Sequence, residues 1–318
     1  MNKREIETLI AERGRKASSR MRIIYDTSEF MAINPGDVMV LSDKPYLITR
    51  NEKEAGYGQD DDPKFWVKRT IDLLSGEVKI IKLVYFEEFG QKVGGYTIPF
   101  YRSPQKEARV LDVVQGHPQF MQGFHVLDTV GNEVRIIDFI QGRSLNNIVG
   151  KFDIPHEDFF YKELPEILKG TVSCLQALAY LHENNLVHGD VRWEHILFDR
   201  NTSMFRWIDF DYHYDFPENP FGMDLIGLGN VLVDVIGMGS CLYSSLKLDQ
   251  SLTKIMDILR PEDFSILDKN RLVNVKKVYP YIPERLNNIL LSFSGHATVF
   301  YDTVADIILD LEDAILDL

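Results

Sequence analysis

Apolar residues change their spacing twice along the chain. Residues 2–18 set Ile6, Leu9 and Ile10 on one helical face, with Arg13, Arg15 and Lys16 beyond them. From residue 38 the spacing becomes strand-like. Two short strands are predicted within 38–50, broken by Ser42-Asp43-Lys44-Pro45, and a polar stretch occupies 51–63. Residues 65–71 and 78–86 form a predicted hairpin around Leu74-Ser75-Gly76-Glu77. Ser103 then Pro104 supply an N-cap and a first-turn proline, and Gly116 closes the helix they open. Two further strands are predicted over 116–127 and 132–139. Beyond that the helical period dominates. Leu168, Val172, Leu175, Leu178, Ala179 and His182 recur helically over 165–184, and helices are also predicted from Asp224, over 283–293 and over 299–316.

One hairpin interrupts the helical half. Ile196-Leu197-Phe198 and Met204-Phe205-Arg206-Trp207-Ile208 flank Asp199-Arg200-Asn201-Thr202-Ser203, a run of turn formers. Asp190 precedes its first strand and Asp209 follows its second. Closing the hairpin brings the two carboxylates to one end, where a pair of acids can hold a divalent cation and orient a hydroxyl.

Composition changes this picture little. Of 318 residues, 45% are hydrophobic and 26% charged, ordinary values for a globular protein. A net charge of −13 argues against nucleic-acid binding, which needs clustered Lys and Arg. Cys174 and Cys241 are too few for a disulfide framework or a cysteine zinc site. No apolar run reaches membrane-spanning length, and the charged start lacks a signal-peptide core, so a cytoplasmic protein is expected. The basic amphipathic start reads either as a solvated helix capping the fold or as a membrane or partner contact.

His188-Gly189-Asp190, His195-Ile196-Leu197 and Asp209-Phe210-Asp211 resemble the catalytic loop and metal-binding strand end of protein-kinase-like phosphotransferases. The resemblance implies that Asp190 accepts the proton of an attacking hydroxyl. It implies that Asp209 binds the Mg²⁺ bridging the phosphates of ATP. Lys79-Ile80-Ile81-Lys82 resembles V-A-I-K, so Lys82 would reach those phosphates. Alternation sets Lys82 on an apolar strand face, where a cation needs a partner, and Glu107 on the predicted helix is the implied one. Ile140-Gln141-Gly142-Arg143-Ser144-Leu145 would form the hinge, with adenine near Phe139, Ile140 and Gln141, and Gly56 and Gly58 would form the glycine-rich loop over the phosphates. Asp224 and Gly229 match the D-x-x-x-x-G opening of a buried helix, with Asp224 implied to accept backbone N–H groups of the catalytic loop. The implied fold is α+β and bilobal: a helical extension (1–35), a small antiparallel β-sheet lobe with one helix (36–140) and a larger, mainly helical lobe (141–318).

Four departures narrow the resemblance. His195 stands where the family has a metal-binding Asn; it reads as a phosphate contact, a ligand for Mn²⁺, a mark of lost activity or a loop hydrogen-bonder. Asp60-Asp61-Asp62 follow the two glycines and would repel phosphate unless turned to solvent. Only 224 − 209 = 15 residues separate Asp209 from Asp224, with no A-P-E between them. Gly189 replaces the Arg that reads a phosphorylated activation loop, a substitution similar to aminoglycoside, choline and lipopolysaccharide-sugar kinases. Arg192 takes the place of the family's Lys and would balance charge on the transferring group. The leading expectation is an ATP-dependent phosphotransferase acting on a hydroxyl of a protein or small molecule. A nucleotide-binding pseudokinase serving as scaffold or switch is the alternative, and a carboxylate-metal hydrolase the third reading.

Overall fold

The computed structural model describes the chain except residues 55–61, 240, 247–252 and 317. It divides into two compact units: Met1–Glu87 with Arg102–His117 and Met121–Ile140, and Glu88–Tyr101 with Pro118–Phe120 and Gln141–Leu318.

The first unit opens with α1 (Lys3–Glu12), started by a capping box in which Asn2 and Glu5 satisfy each other's backbone N–H. Gly14 follows in the left-handed region at φ 66°, so the helix ends well short of residue 18. Strands β1 (Ile23–Ile24), β2 (Val38–Leu41), β3 (Lys44–Glu54), β4 (Asp62–Asp72) and β5 (Val78–Lys82) come next. The strand expected over 78–86 stops at Lys82. Strands β6 (Glu88–Val93) and β7 (Tyr96–Arg102) precede α2 (Pro104–Val113), and β8 (Gly123–Leu127) and β9 (Glu133–Asp138) follow it. The sheet of this unit has seven strands in the order β1-β2-β3-β4-β5-β9-β8. Met39, Leu41, Tyr46, Ile48, Ile81, Val134 and Ile136 fill its core.

Residues 1–35, expected as an extension, are built into this unit. Ile6 and Ile10 are fully buried with Met21, Val38, Leu47 and Leu73, and β1 pairs with β2 in parallel. The ammonium of buried Lys68 donates to the carbonyls of Phe30 (3.1 Å) and Ile33 (2.7 Å) and to Asn51 Oδ1 (2.8 Å). Burial pushes its pKa down to about 8, so the amine is retained by hydrogen bonds rather than by a counter-charge alone.

In the second unit β10 (Gly142–Ser144), β11 (Ile196–Asp199) and β12 (Met204–Trp207) form one small sheet. The hairpin expected over 196–208 is β11 and β12, paired from Ile196↔Trp207 to Asp199↔Met204. Helices α3 (Leu145–Val149), α4 (His156–Lys162), α5 (Leu164–Glu183) and α6 (Gly222–Ile236) make the bulk, with α7 (Tyr243–Leu246), α8 (Thr253–Met256), α9 (Glu284–Leu291) and α10 (Val304–Ile315) beyond. Helix α6 is buried almost all round, and a Cβ on Gly229 would sit 2.2 Å from the Phe293 ring, which explains a glycine inside that helix.

A second three-stranded sheet was not expected. β6 and β7 pair from Glu88↔Tyr101 to Val93↔Tyr96, and β13 (Tyr212–Tyr214) lies on the other side of β7. Val93, Ile98, Phe100 and Tyr214 pack there with Val187, Met223 and Ile226. The hairpin thus belongs with the second unit although it follows β5 in sequence.

Candidate functional site

The loop from His188 to His195 is set from below by one buried carboxylate. Asp224, in the first turn of α6, accepts from the backbone N–H groups of His188 (2.6 Å) and Gly189 (2.9 Å). It also meets His182 Nε2 at 3.0 Å. Burial acts to raise the Asp224 pKa, but the hydrogen bonds and charge of its partners prevail and hold it below the ordinary value. The expectation for Asp224 is met in this geometry.

Asp190 and Asp209 come together as the hairpin required. Asp190 Oδ2 lies 3.4 Å from His195 Nδ1, and Asp209 Oδ2 lies 3.4 Å from His195 Nε2. One imidazole therefore lies between the two carboxylates. Phe210 is fully buried, edge-on to Phe120 (5.7 Å) and His188 (5.0 Å), and Asp209 sits at φ 69°. A non-glycine residue there is strained, as residues at functional sites often are. Burial raises the Asp190 pKa, Asp209 and Asp211 add to the rise, and His195 and Arg192 oppose it.

The metal-ligand expectation for His195 is not supported by its hydrogen bonds. Nδ1 lies 2.9 Å from the carbonyl of Asp190 and so carries the proton that it donates. Nε2 then accepts from Arg192, whose Nε and Nη2 lie 3.2 and 3.0 Å away. Its lone pair is engaged, and His195 serves as the loop hydrogen-bonder. Among the described residues no three His, Cys, Asp or Glu side chains cluster in a way that could hold a metal. Magnesium is usually held by one or two carboxylates together with substrate phosphates, a mode that Asp209 suits and imidazole does not. Arg192 also reaches Asp190 Oδ2 at 3.4 Å.

In the first unit Lys82 donates to Glu107 Oε1 at 2.7 Å. Arg135, directly across the sheet from Lys82, donates from Nε to Glu107 Oε2 at 3.0 Å. Sequence reasoning missed Arg135; a lone cation inside the apolar run Val134 to Ile137 was the available signal. Phe139 lies under the Arg69 guanidinium, 4.3 Å from its ring centre. The carbonyl of Gln141 accepts from the N–H of Arg200 at 3.1 Å. Gly56 and Gly58 fall outside the described residues.

Gly189 has a reason of its own. It lies at φ 87°, and a Cβ there would stand 1.9 Å from the carbonyl oxygen of Tyr212, so β13 runs against the loop where a side chain would go. Tyr214, two residues on, accepts from the N–H of Asp224 through its hydroxyl at 3.2 Å. Gly189→Ala must bear a left-handed backbone and displace a main-chain oxygen, each about 1–3 kcal/mol. Thermal unfolding should show a fall in Tm of roughly 5–10 °C; a Tm equal to wild type would mean that β13 is not held against the loop.

Comparison with known proteins gives the class. A family model described as a protein kinase domain matches residues 67–223. A Caenorhabditis elegans protein provisionally named ribosomal protein S6 kinase alpha-2 is 31% identical over 115 residues, 36% of this chain and 14% of that protein. A provisionally named serine/threonine-protein kinase of Acanthamoeba polyphaga mimivirus is 27% identical over 199 residues, 59% of this chain and 67% of that one. Across three such relatives the matched stretch spans 14% to 23% of the relative's length. The crystal structure of a double mutant of the Mycobacterium tuberculosis PknI kinase domain superposes at TM-score 0.50 and 13% identity, covering 85% of this chain and 95% of that domain. Residues 67–223 are thus similar to a protein kinase domain, and the chain has the α+β fold of such a domain. Among the described residues no helix is long and apolar enough to cross a membrane.

Proposed function

We propose that the chain transfers the γ-phosphate of ATP to a hydroxyl group of a protein or small molecule. One observation carries the reading: the carboxylates of Asp190 and Asp209 meet at a single imidazole, each 3.4 Å from one nitrogen of His195. Asp190 takes the proton of the attacking hydroxyl, and its raised pKa suits a group that must gain a proton during the step. Arg192, against Asp190, offsets charge on the transferring group. Lys82, oriented by Glu107, contacts the phosphates, and the main chain at 139–141 borders adenine. Asp209 would supply an oxygen ligand to a magnesium ion, which would neutralise phosphate charge. His195 keeps the Asp190 carbonyl and Arg192 in place. Most of the catalysis is then positioning and electrostatics.

A second reading keeps nucleotide binding without transfer. Its support is that His195 occupies the position of a metal-binding Asn and presents no free oxygen or nitrogen to a cation. Thermal shift with ATP and Mg²⁺ or Mn²⁺, followed by an assay of γ-phosphate transfer or hydrolysis, separates the two. Stabilisation plus turnover is the expected result, with Mn²⁺ giving no advantage that depends on His195. Stabilisation without turnover in either metal would leave the scaffold reading, and no stabilisation would count against both.

A further inference from the structure

We infer that the second unit carries a docking groove for an extended, acidic segment of a partner protein with apolar side chains at alternate positions. The groove has a volume of about 470 Å³ and lies on the sheet of β10, β11 and β12, flanked by residues of α3 and α5. Its floor is built by register: Arg143 pairs with Phe198 and Phe198 with Phe205, so the three stand on one rung and share one face. The two rings meet edge to face at 5.3 Å, and Ile148 and Ile167 extend the apolar strip. Gly170 lets Phe205 lie against α5, since a Cβ there would come within 2.4 Å of its ring.

The rim is cationic. Arg143, Lys151 and Arg200 are exposed and line the groove, and none forms an ion pair among the described residues. Glu166 lines the groove beside them and is paired with Lys169 at 2.6 Å, and Asp199, next to Phe198, is paired with Arg206 at 3.2 Å. Three uncompensated cations around an apolar strip are conspicuous on a chain of net charge −13. An apolar centre with an exposed charged rim is the anatomy of a protein-binding patch rather than of an enclosed small-molecule pocket. Charge complementarity makes the occupant acidic. The groove uses no residue of the phosphotransfer site, so it stands or falls separately from that reading.

The test is fluorescence anisotropy with three labelled peptides on the full chain: two leucines flanking one serine within Asp/Glu, the same acids with both leucines replaced by serine, and the same leucines within lysines. Saturable binding of the first is expected, weakening with salt, with the other two bound roughly tenfold or more weakly. Arg143→Glu with Arg200→Glu, both at exposed positions, should weaken the first peptide by roughly tenfold or more while melting temperature and nucleotide response hold. Equal binding of all three peptides, no saturable binding of the first, or an unaffected double variant would overturn the proposal. So would binding of 8-anilinonaphthalene-1-sulfonate that the double variant loses while the acidic peptide never binds, since that assigns the groove to a small anion.

Discussion

Asp190→Asn will lower γ-phosphate transfer by roughly 10²- to 10⁴-fold while ATP binding stays near that of the native chain. The amide keeps the size of the side chain and its place beside Arg192 and His195, but its nitrogen cannot accept a proton from the acceptor hydroxyl. The pH profile gives an independent reading. Burial is the main reason the Asp190 pKa is raised, with Asp209 and Asp211 adding to it against His195 and Arg192. A base works only when ionised, so the rate falls as pH drops through this raised value. The acid limb therefore lies above the usual carboxylate pKa of about 3.9. Single-turnover transfer measured across pH checks both points. Transfer by Asp190→Asn at the native rate, or an acid limb unchanged between the two proteins, would remove Asp190 from the proton step.

Much of the candidate cluster in each unit was legible because its parts are local or periodic. Asp190 and Asp209 flank a hairpin whose turn residues are unmistakable, and a hairpin must return its ends to one place. Lys82 needed a counter-charge because strand alternation put it on an apolar face, and Glu107 stands on a helix whose start was marked by Ser103 and Pro104. The sheet of β6, β7 and β13 was not legible. Phe89 and Val93 are the only large apolar residues of β6, and the strand that completes the sheet lies over a hundred residues away, after Asp211. A pairing of that kind leaves no local periodic signal. Nor did composition or spacing reveal the partners of His195, which depend on the loop folding back so that Arg192 meets Nε2.

That unexpected sheet alters the meaning of Gly189. Read as a motif position, it is an arginine lost. In the folded chain it is the only residue type that leaves room for the Tyr212 carbonyl at φ 87°. The segment after Asp211 is held by burial of Tyr214 beside Phe100 and Val187, and by the bond from the Asp224 N–H to the Tyr214 hydroxyl. Asp224 thus organises the His188–His195 loop through its carboxylate and receives the following strand through its own amide. Order in that segment comes from packing built into the chain.

Glu107→Ala will destabilise the first unit by about 3–5 kcal/mol, the usual cost of taking away one partner of a buried charge pair. Glu107 is wholly inaccessible, and its two oxygens serve two cations, Lys82 at 2.7 Å and Arg135 at 3.0 Å. Those cations face each other across β5 and β9, a like-charge rung that is unfavourable unless a carboxylate lies between them. Removing the carboxylate restores that repulsion in a buried setting. A fall in Tm on the order of 10 °C follows, with hydrogen exchange accelerated along β5 and β9. Glu107→Gln, which keeps the shape and one acceptor, should fall between. Lys82→Met separates structure from ligand binding: Glu107 keeps Arg135, so stability drops less than in Glu107→Ala, yet ATP-induced stabilisation is lost. If Glu107→Ala melts with the native chain, the buried cluster does not hold this unit together. If Lys82→Met responds to ATP as the native chain does, Lys82 serves the sheet and not the nucleotide.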